Sequence, residues 1–410
     1  MVQDSFDVAV IGAGPAGSVA AFAAARRGLR VALVDRSLFP RDKTCGDGIG
    51  PGAVEVVHRL GLDTVFDGCA PVRAVTIFGP RGERLDSAIA RGDGHAAFGH
   101  VIARLDLDGR LVREAFRAGA ADFTGMRFKS MHVTPDARLV EVRAADGTEH
   151  TISARLVVGA DGAYSPVRKA LTAGTDDNGA KKKHLSLAMR AYAESEDFRP
   201  GGAFGPRLLF EFGRDLLPNY AWLFPLDDGR VNLGVGGPLE VLQRRGDDLK
   251  VLMAMFADKL RDRGIALGEL HDQRAHHLPH IGGLPKLTYP RAVLIGDAAS
   301  MINPVSGEGI AYAVTAAEQL VSTLPSSLNE AAQLAAALAR FESDFRRRYR
   351  AHFVSSRVSL RMLRSQRWAS MLLRAAQRDP QMLQDGVELL FGFGRIRAST
   401  VLRVLRSGLI

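Results

Sequence analysis

Three glycines, Gly12, Gly14 and Gly17, stand between an apolar run and an alanine-rich one, and no other feature narrows the fold of this chain so far. Phe6 to Ile11 (FDVAVI) has the composition of a buried parallel strand. Ser18 to Arg27 reads as a helix that Gly28 ends, and Leu29 to Val34 (LRVALV) as a second strand closing on Asp35. Together they make one βαβ unit of roughly 30 residues with a right-handed connection. Gly12 permits the tight turn, Gly14 lets the backbone approach a pyrophosphate, and Gly17 lets helix and strand pack closely. Pro15 and Ala16 are expected among the cofactor contacts, and the helix that follows has N-terminal N–H groups and a partial positive charge that suit phosphate. Asp35 is placed to accept from a ribose hydroxyl, with Arg36 beside it. The uncharged run of 18 residues from Val8 to Ala25 resembles a membrane span, but three glycines and a proline split it into strand, turn and helix.

Beyond this unit, residues 36–52 read as an ordered loop and 52–60 as a helix. Residues 72–100 read as antiparallel strands, Arg104 to Ala118 as a helix, and 127–133, 138–144 and 149–158 as strands with a turn at Asp146-Gly147. A polar loop spans 172–183, β pattern returns over 185–237, and 247–263 reads as helix. Arg291 to Ile295 is a buried strand, Gly309 to Leu324 a helix, and everything from Glu330 helical. The predicted fold class is α/β (α+β overall): a Rossmann-like dinucleotide-binding domain, an inserted antiparallel β-sheet domain for substrate, and C-terminal helices. The nucleotide domain is discontinuous (1–71, 101–180 and 276–325), the β-rich domain takes 72–100 and 181–275, and 326–410 is a basic helical region.

Two later segments carry further signals. Residues 156–168 (LVVGADGAYSPVR) run from a strand into Asp161-Gly162. Residues 293–310 (VLIGDAASMINPVSGEGI) end a strand in Gly296-Asp297, then open a helix through Gly307, Gly309 and Ile310. An aspartate at the carboxyl end of a parallel strand sits at the crevice where such sheets bind ligands. The helix-opening N–H groups suit an electron-rich ring edge.

These three motifs in this order, over roughly 1–325, resemble flavin-dependent oxidoreductases of the p-hydroxybenzoate hydroxylase type. The resemblance implies FAD. It assigns Gly12, Gly14 and Gly17 to the pyrophosphate, Asp35 to the adenosine ribose, Asp297 to the ribityl–phosphate part and Arg104 to the flavin nucleotide. Asp161 is implied to serve FAD and a pyridine nucleotide together. Two more segments are similar to those of geranylgeranyl reductases. One is Phe39-Pro-Arg-Asp-Lys-Thr-Cys45-Gly46-Asp47-Gly48, whose Cys45, Gly46, Asp47 and Gly48 are expected among the cofactor contacts. The other is Pro218-Asn-Tyr220-Ala-Trp222-Leu-Phe224-Pro225, followed by Val231-Asn-Leu-Gly-Val-Gly236. The resemblance implies reduction of C=C bonds in prenyl chains of lipids, quinones or diphosphates. An FAD monooxygenase or other tailoring enzyme for a small metabolite stands as the alternative, as does a protein whose FAD is only structural. The electron donor is expected to be NAD(P)H or a separate reductase or ferredoxin, since the chain has no second G-x-G-x-x-G.

The residue types suit such chemistry. An unactivated alkene needs a hydride donor, which reduced flavin supplies, a proton donor and a dry apolar pocket. Tyr220, Trp222 and Phe224 alternate on one strand face and are expected to line a prenyl slot, with Tyr220 and Trp222 at the reacting centre. Cys45 is expected either to give a proton or tune the flavin site, or to be a buried structural thiol. His280, before Ile281-Gly-Gly, is expected on the substrate side of the flavin. His276 and His280 share no helical face because Pro279 intervenes, so no metal is expected.

Charge adds a last constraint. Residues 340–406 hold 15 arginines and five acids, while the rest of the chain is nearly neutral. Phe341, Phe345, Tyr349 and Phe353 recur every four residues among these arginines. Two readings stand: a basic amphipathic helix lying on an anionic membrane, or an aromatic face packed on the body with solvated arginines. No nucleic-acid module or interleaved stacking aromatics are found. Two cysteines and the lack of a leader point to a cytoplasmic protein, peripheral on a membrane in the first reading, with a hydrophobic small-molecule substrate.

Overall fold

The computed structural model describes residues 3–89, 96–174, 184–280 and 286–397, together with 399, 400 and 402. Lys181 to Lys183 and most of the polar boundary loop lie outside these residues.

The first strand (Gln3–Ile11) is hydrogen-bonded in parallel to Val31–Asp35 on one side and to Glu149–Gly159 on the other. Ala121–Thr124 extends the parallel sheet beyond Val31–Asp35, and Ala292–Leu294 extends it beyond Glu149–Gly159. Sequence-distant pieces thus share one sheet, as the βαβ pattern requires. The strands Arg127–Val133 and Arg138–Arg143 add an antiparallel flap on the first half of Glu149–Gly159. The first helix, Pro15–Arg26, starts earlier than predicted because Pro15 is pre-set for a first helical position. Its small residues let it lie between the sheet and the helices Arg104–Arg117 and Ile310–Thr323.

A second, seven-stranded sheet runs in the order His271–Pro279, Leu185–Glu194, Arg230–Pro238, Tyr220–Pro225, Arg207–Glu211, Ala74–Phe78, Arg84–Ala88. Only the pairing of Arg207–Glu211 with Ala74–Phe78 is parallel. The change of domain expected at residue 276 falls inside the strand His271–Pro279, which pairs with Leu185–Glu194 as far as Pro279. A third pairing, Gly48–Ile49 with His100–Val101, ties the loop after the βαβ unit to the end of the 72–100 segment.

The second sheet is buried on both faces. Ala221, Leu223, Leu233 and Val235 face the helices Leu239–Arg245 and Leu249–Asp262. The first of these helices was not anticipated. Trp222, Phe224 and Phe210 face the opposite way, toward Ala369, Met382, Leu390 and Phe391 of the C-terminal helices Gln366–Arg378 and Pro380–Leu390 and the turn beyond.

The long helix Ala331–Met362 settles the aromatic periodicity. Phe341, Phe345, Tyr349 and Phe353 are all buried in the nucleotide-domain core, with Tyr312 packed against Tyr349 and Phe353. This face packs on the body and does not lie on a membrane. Exposed arginines occupy the other side. No helix among the described residues is long and apolar enough to cross a membrane.

Candidate functional site

The two sheets and the C-terminal helices enclose a cavity of about 630 Å³. Its nucleotide end is the glycine turn. Gly12 has φ +102°, and a Cβ there would fall 2.3 Å from the Ala160 carbonyl oxygen. A Cβ on Gly17 would fall 1.7 Å from the Gly12 carbonyl, so Gly17 serves packing and does not wall the cavity. At Gly14 a Cβ would meet only guanidinium nitrogens of Arg104 and Arg41, each at 3.8 Å. The helix beginning at Pro15 has no side-chain cap, which leaves its N–H groups directed at this opening. Two guanidinium groups and an uncapped helix start, around a position kept clear by a glycine, fit a pyrophosphate.

The arginines are held by Asp108, missed in the sequence. It is fully buried, takes a two-bond fork from Arg104 at 2.7 Å each, and pairs with Arg41 at 2.9 Å. Asp35 lines the cavity at the end of its strand, fixed by the N–H groups of Ala13 and Ser37, both at 2.8 Å, with Arg36 beside it. Asp161 accepts from Ser165 and, at 2.9 Å, from the Val167 N–H, so its carboxylate is largely consumed by the turn it shapes. Burial pushes it up to about 6. Arg168 donates to the Ala298 carbonyl at 2.9 Å and joins the second motif to the third. Asp297 pairs with Lys43 at 3.1 Å. Burial opposes its charge, but Lys43 and Arg104 hold it below the usual carboxylate range. Gly296, Gly307, Gly309 and Ile310 complete this wall.

The other end is aromatic. Tyr220, Trp222 and Phe224 line it from one strand face, as the alternation predicted, with Leu208, Phe210 and Leu278 from neighbouring strands. Gly46 and Gly48 press on these rings. A Cβ on Gly46 would lie 3.0 Å from Trp222 Nε1, and one on Gly48 would lie 3.0 Å from Phe224. The Cys45–Gly48 loop and the Tyr220–Pro225 strand are therefore in direct contact. Gly234 lets the Trp222 ring lie across its strand, since a Cβ there would be 2.1 Å from the indole.

Asn232, quoted in the second segment without a role, holds this junction. It accepts from Trp222 Nε1 at 3.0 Å and donates to the Cys45 carbonyl at 2.8 Å and to Asp47 at 2.7 Å. Asp47, expected among the cofactor contacts, is not in the cavity wall. Its carboxylate is buried between Asn232 and the Tyr192 hydroxyl, which donates at 2.6 Å, and burial raises it to about 6. Asp47 pins the loop to the sheet. Cys45 does line the cavity, and burial pushes its thiol up. The Tyr220 hydroxyl donates to the Ser306 carbonyl.

His280 is also displaced from its expected place. The strand ends at Pro279, and the next N–H donates to the His184 carbonyl at 3.0 Å, which leaves the His280 ring buried beside His184 and outside the cavity wall. His276 and Leu278, four and two residues earlier, are the ones that face the cavity. Burial and then Lys43 hold His276 at about 4, so it is neutral. Further lining residues that the sequence reading did not single out are Glu308, Leu390 and Phe391.

Comparison with known proteins agrees with this geometry. Residues 5–226 match the family described as FAD binding domain. Menaquinone reductase of Mycobacterium tuberculosis is 37% identical over 316 residues, which covers 76% of this chain and 74% of that one. Digeranylgeranylglycerophospholipid reductase of Methanosarcina acetivorans is 28% identical, covering 77% and 74%. Among solved structures, a geranylgeranyl bacteriochlorophyll reductase-like protein from Thermoplasma acidophilum superimposes with a TM-score of 0.76 at 20% identity, over 98% of this chain and 96% of that one. A flavin-dependent brominase superimposes with a TM-score of 0.74 at 17% identity, over 98% of both chains. At these identities the structures speak for the fold alone.

Proposed function

Because the chain belongs to the FAD-dependent geranylgeranyl reductase family of oxidoreductases, we propose that it reduces C=C bonds in the prenyl chain of a lipid or quinone. The observation that carries this reading is the contact of the Cys45–Gly48 loop with Trp222 and Phe224, which makes an apolar slot run directly into the nucleotide end of one cavity. The Gly12–Gly17 turn, Arg41 and Arg104 would hold the FAD pyrophosphate, Asp35 the ribose, and Asp297 with Gly307 to Ile310 the ribityl chain and ring edge. When bound and reduced, the flavin supplies two electrons and one hydrogen. Tyr220, Trp222, Phe224 and Phe391 hold the apolar chain and exclude water, which a weakly polarised alkene requires. Trp222 is fixed by Asn232, and Cys45 stands beside the slot. In domain terms the nucleotide unit comprises 1–71, 101–180 and the segment from after Pro279 to 325, and the second sheet is the substrate unit.

Product mass tests the reading. Reduced, FAD-loaded protein incubated without air with a geranylgeranyl-bearing menaquinone is expected to add hydrogen pairs. An added oxygen atom that requires air would instead make it a monooxygenase.

The basic surface supports a peripheral place on an anionic membrane. Residues 345–378 contain ten arginines and no acid. Exposed among them are Arg361, Arg364 and Arg367, with Val354, Val358 and Trp368 each more than 40% accessible. Cations interspersed with apolar side chains suit an anionic bilayer, where prenyl lipids reside. Binding to phosphatidylglycerol vesicles that weakens with salt and is lost on changing Arg361, Arg364 and Arg367 to Glu is expected. Equal binding to neutral vesicles would refute it.

A further inference from the structure

Saturating a C=C bond needs a proton on the carbon that does not receive the flavin's hydrogen, and the cavity offers few groups able to give one. Tyr220 commits its hydroxyl proton to the Ser306 carbonyl, and burial pushes its acidity further from neutrality. The Cys45 thiol is likewise pushed up by burial. His276 is held neutral, so the acidic imidazolium form is absent at neutral pH.

Glu308 differs from all three. It lies in the cavity wall at the junction of the two ends. A Cβ on Gly50 would be 3.3 Å from its Oε2 and 3.4 Å from the Phe391 ring, and one on Gly392 would be 3.3 Å from the Glu308 Cγ. The carboxyl is thus enclosed by two glycines and an aromatic ring, and the space left open to it is the cavity. Oε1 accepts from the Ala311 N–H at 2.9 Å, which fixes the group at the start of the helix Ile310–Thr323. No cation forms an ion pair with it among the described residues. The titratable groups that face it are Tyr220 from the second sheet, Tyr312 from the helix that follows it and Tyr349 from the long helix, each made a weaker acid by burial and by this carboxyl. Behind Tyr312 stands His352 of the long helix, accepting or donating at 2.6 Å and held at about 4 by burial.

We propose that Glu308 is the acid that completes reduction of the C=C bond. This rests on the prenyl-reductase reading above. The O–H bond of the Glu308 carboxyl breaks and a C–H bond forms at the second alkene carbon as the π pair is drawn into it. The first carbon takes one hydrogen with two electrons from the reduced flavin. Oxidised flavin and a Glu308 carboxylate are left, and water recharges the carboxylate. Burial, only partly opposed by the N–H groups of Gly309, Ile310 and Ala311, raises Glu308 to about 7. That value matches a proton donor to neutral pH. Sequence reading passed over this residue because it stands between the two motif glycines.

Glu308→Gln keeps an acceptor for the Ala311 N–H but removes the proton, and equal FAD affinity of the two proteins establishes that the fold is intact. Reduction of a geranylgeranyl-bearing menaquinone by the variant is expected to fall by about 10²- to 10⁴-fold. The wild-type rate should be flat below pH about 7 and fall tenfold per pH unit above it, a limb absent from the residual rate of the variant, and Glu308→Asp should regain part of the activity. A second readout needs no substrate: in the FAD-loaded protein, the infrared band of a protonated carboxyl should disappear as pH rises through about 7, and be missing in Glu308→Gln. Wild-type turnover and an unchanged pH limb in Glu308→Gln would overturn the proposal, as would the absence of a carboxyl band titrating there. If the wild type reduces no prenyl substrate while the band titrates as expected, the substrate reading has failed and the acid at Glu308 has not.

Discussion

Replacing Asn232 by alanine tests whether the Cys45–Gly48 loop and the aromatic strand are one mechanical unit. Asn232 is fully buried and serves three partners: the Trp222 indole N–H, the Cys45 carbonyl and the Asp47 carboxylate. Alanine removes all three bonds and leaves each partner in an apolar setting. A buried polar group left unpaired costs about 1–3 kcal/mol. Water entering the new space recovers part of this, since the Cys45 side opens on the cavity. The expected loss is therefore about 3–5 kcal/mol, toward the large end for a single substitution. Asp47 also loses a donor that favours its charge, so its carboxyl should rise further above about 6. The chain has two tryptophans, Trp222 and Trp368, so unfolding in urea followed by fluorescence in a Trp368→Phe background reports from the perturbed residue itself. FAD affinity should fall in parallel, because the loop it releases lines the nucleotide end. A loss below about 1 kcal/mol with unchanged FAD affinity would refute the reasoning, since it would mean the three bonds are replaced at no cost.

Three other outcomes follow from the same geometry. Gly14→Val should fold normally, because a Cβ there meets only two guanidinium groups at 3.8 Å, yet bind FAD at least ~100-fold more weakly; Gly17→Ala should instead destabilise the protein, because its Cβ would stand 1.7 Å from the Gly12 carbonyl. Thermal melts and FAD titration separate the two effects. Asp47 is raised from 3.8 to about 6, so the fold holds its proton more tightly than the unfolded chain does, and its contribution to stability falls as pH rises from about 4 to about 6. Asp47→Asn should accordingly gain up to about 2–3 kcal/mol over the wild type at pH 7, with the difference vanishing near pH 4, as urea unfolding at both pH values would reveal. Phe345→Ala should cost about 3–5 kcal/mol because the ring is buried in the nucleotide-domain core, while leaving vesicle binding of the folded protein unchanged.

How far the sequence discloses this molecule depends on whether a residue's task is set by its neighbours in the chain or by its neighbours in space. Gly12 and Gly17 were legible because the turn and the helix contact are decided within six residues, and the clashes a Cβ would make at each bear that out, while Gly14 is left facing only two guanidinium groups. The alternation of Tyr220, Trp222 and Phe224 was legible for the same reason, since strand period alone puts them on one face. His280 was misplaced because its position depends on where a strand ends, and that is decided by pairing with Leu185–Glu194, about 90 residues upstream in the chain. Asp47 was misread because its motif marks it as part of a cofactor loop, while its side chain is claimed by Tyr192 and Asn232 of another sheet.

The C-terminal helix carries this distinction furthest. A period of four among Phe341, Phe345, Tyr349 and Phe353 establishes that one face is aromatic but says nothing of what covers it. Tyr312 and the core around it cover it, and that contact turns the opposite, arginine-bearing face outward. The membrane contact proposed for this region therefore rests on the exposed Arg361, Arg364, Arg367 and Trp368, and the ring-bearing side is left to secure the helix. With the helix secured, the chain beyond it places Leu390 and Phe391 over the slot. Phe391 also closes off Glu308. The pocket's last wall is thus supplied from outside the 5–226 segment that carries the FAD-binding signature. A substitution in that wall, such as Phe391→Ala, should alter which prenyl chains are accepted while sparing FAD affinity, and competition between short and long prenyl substrates would measure it.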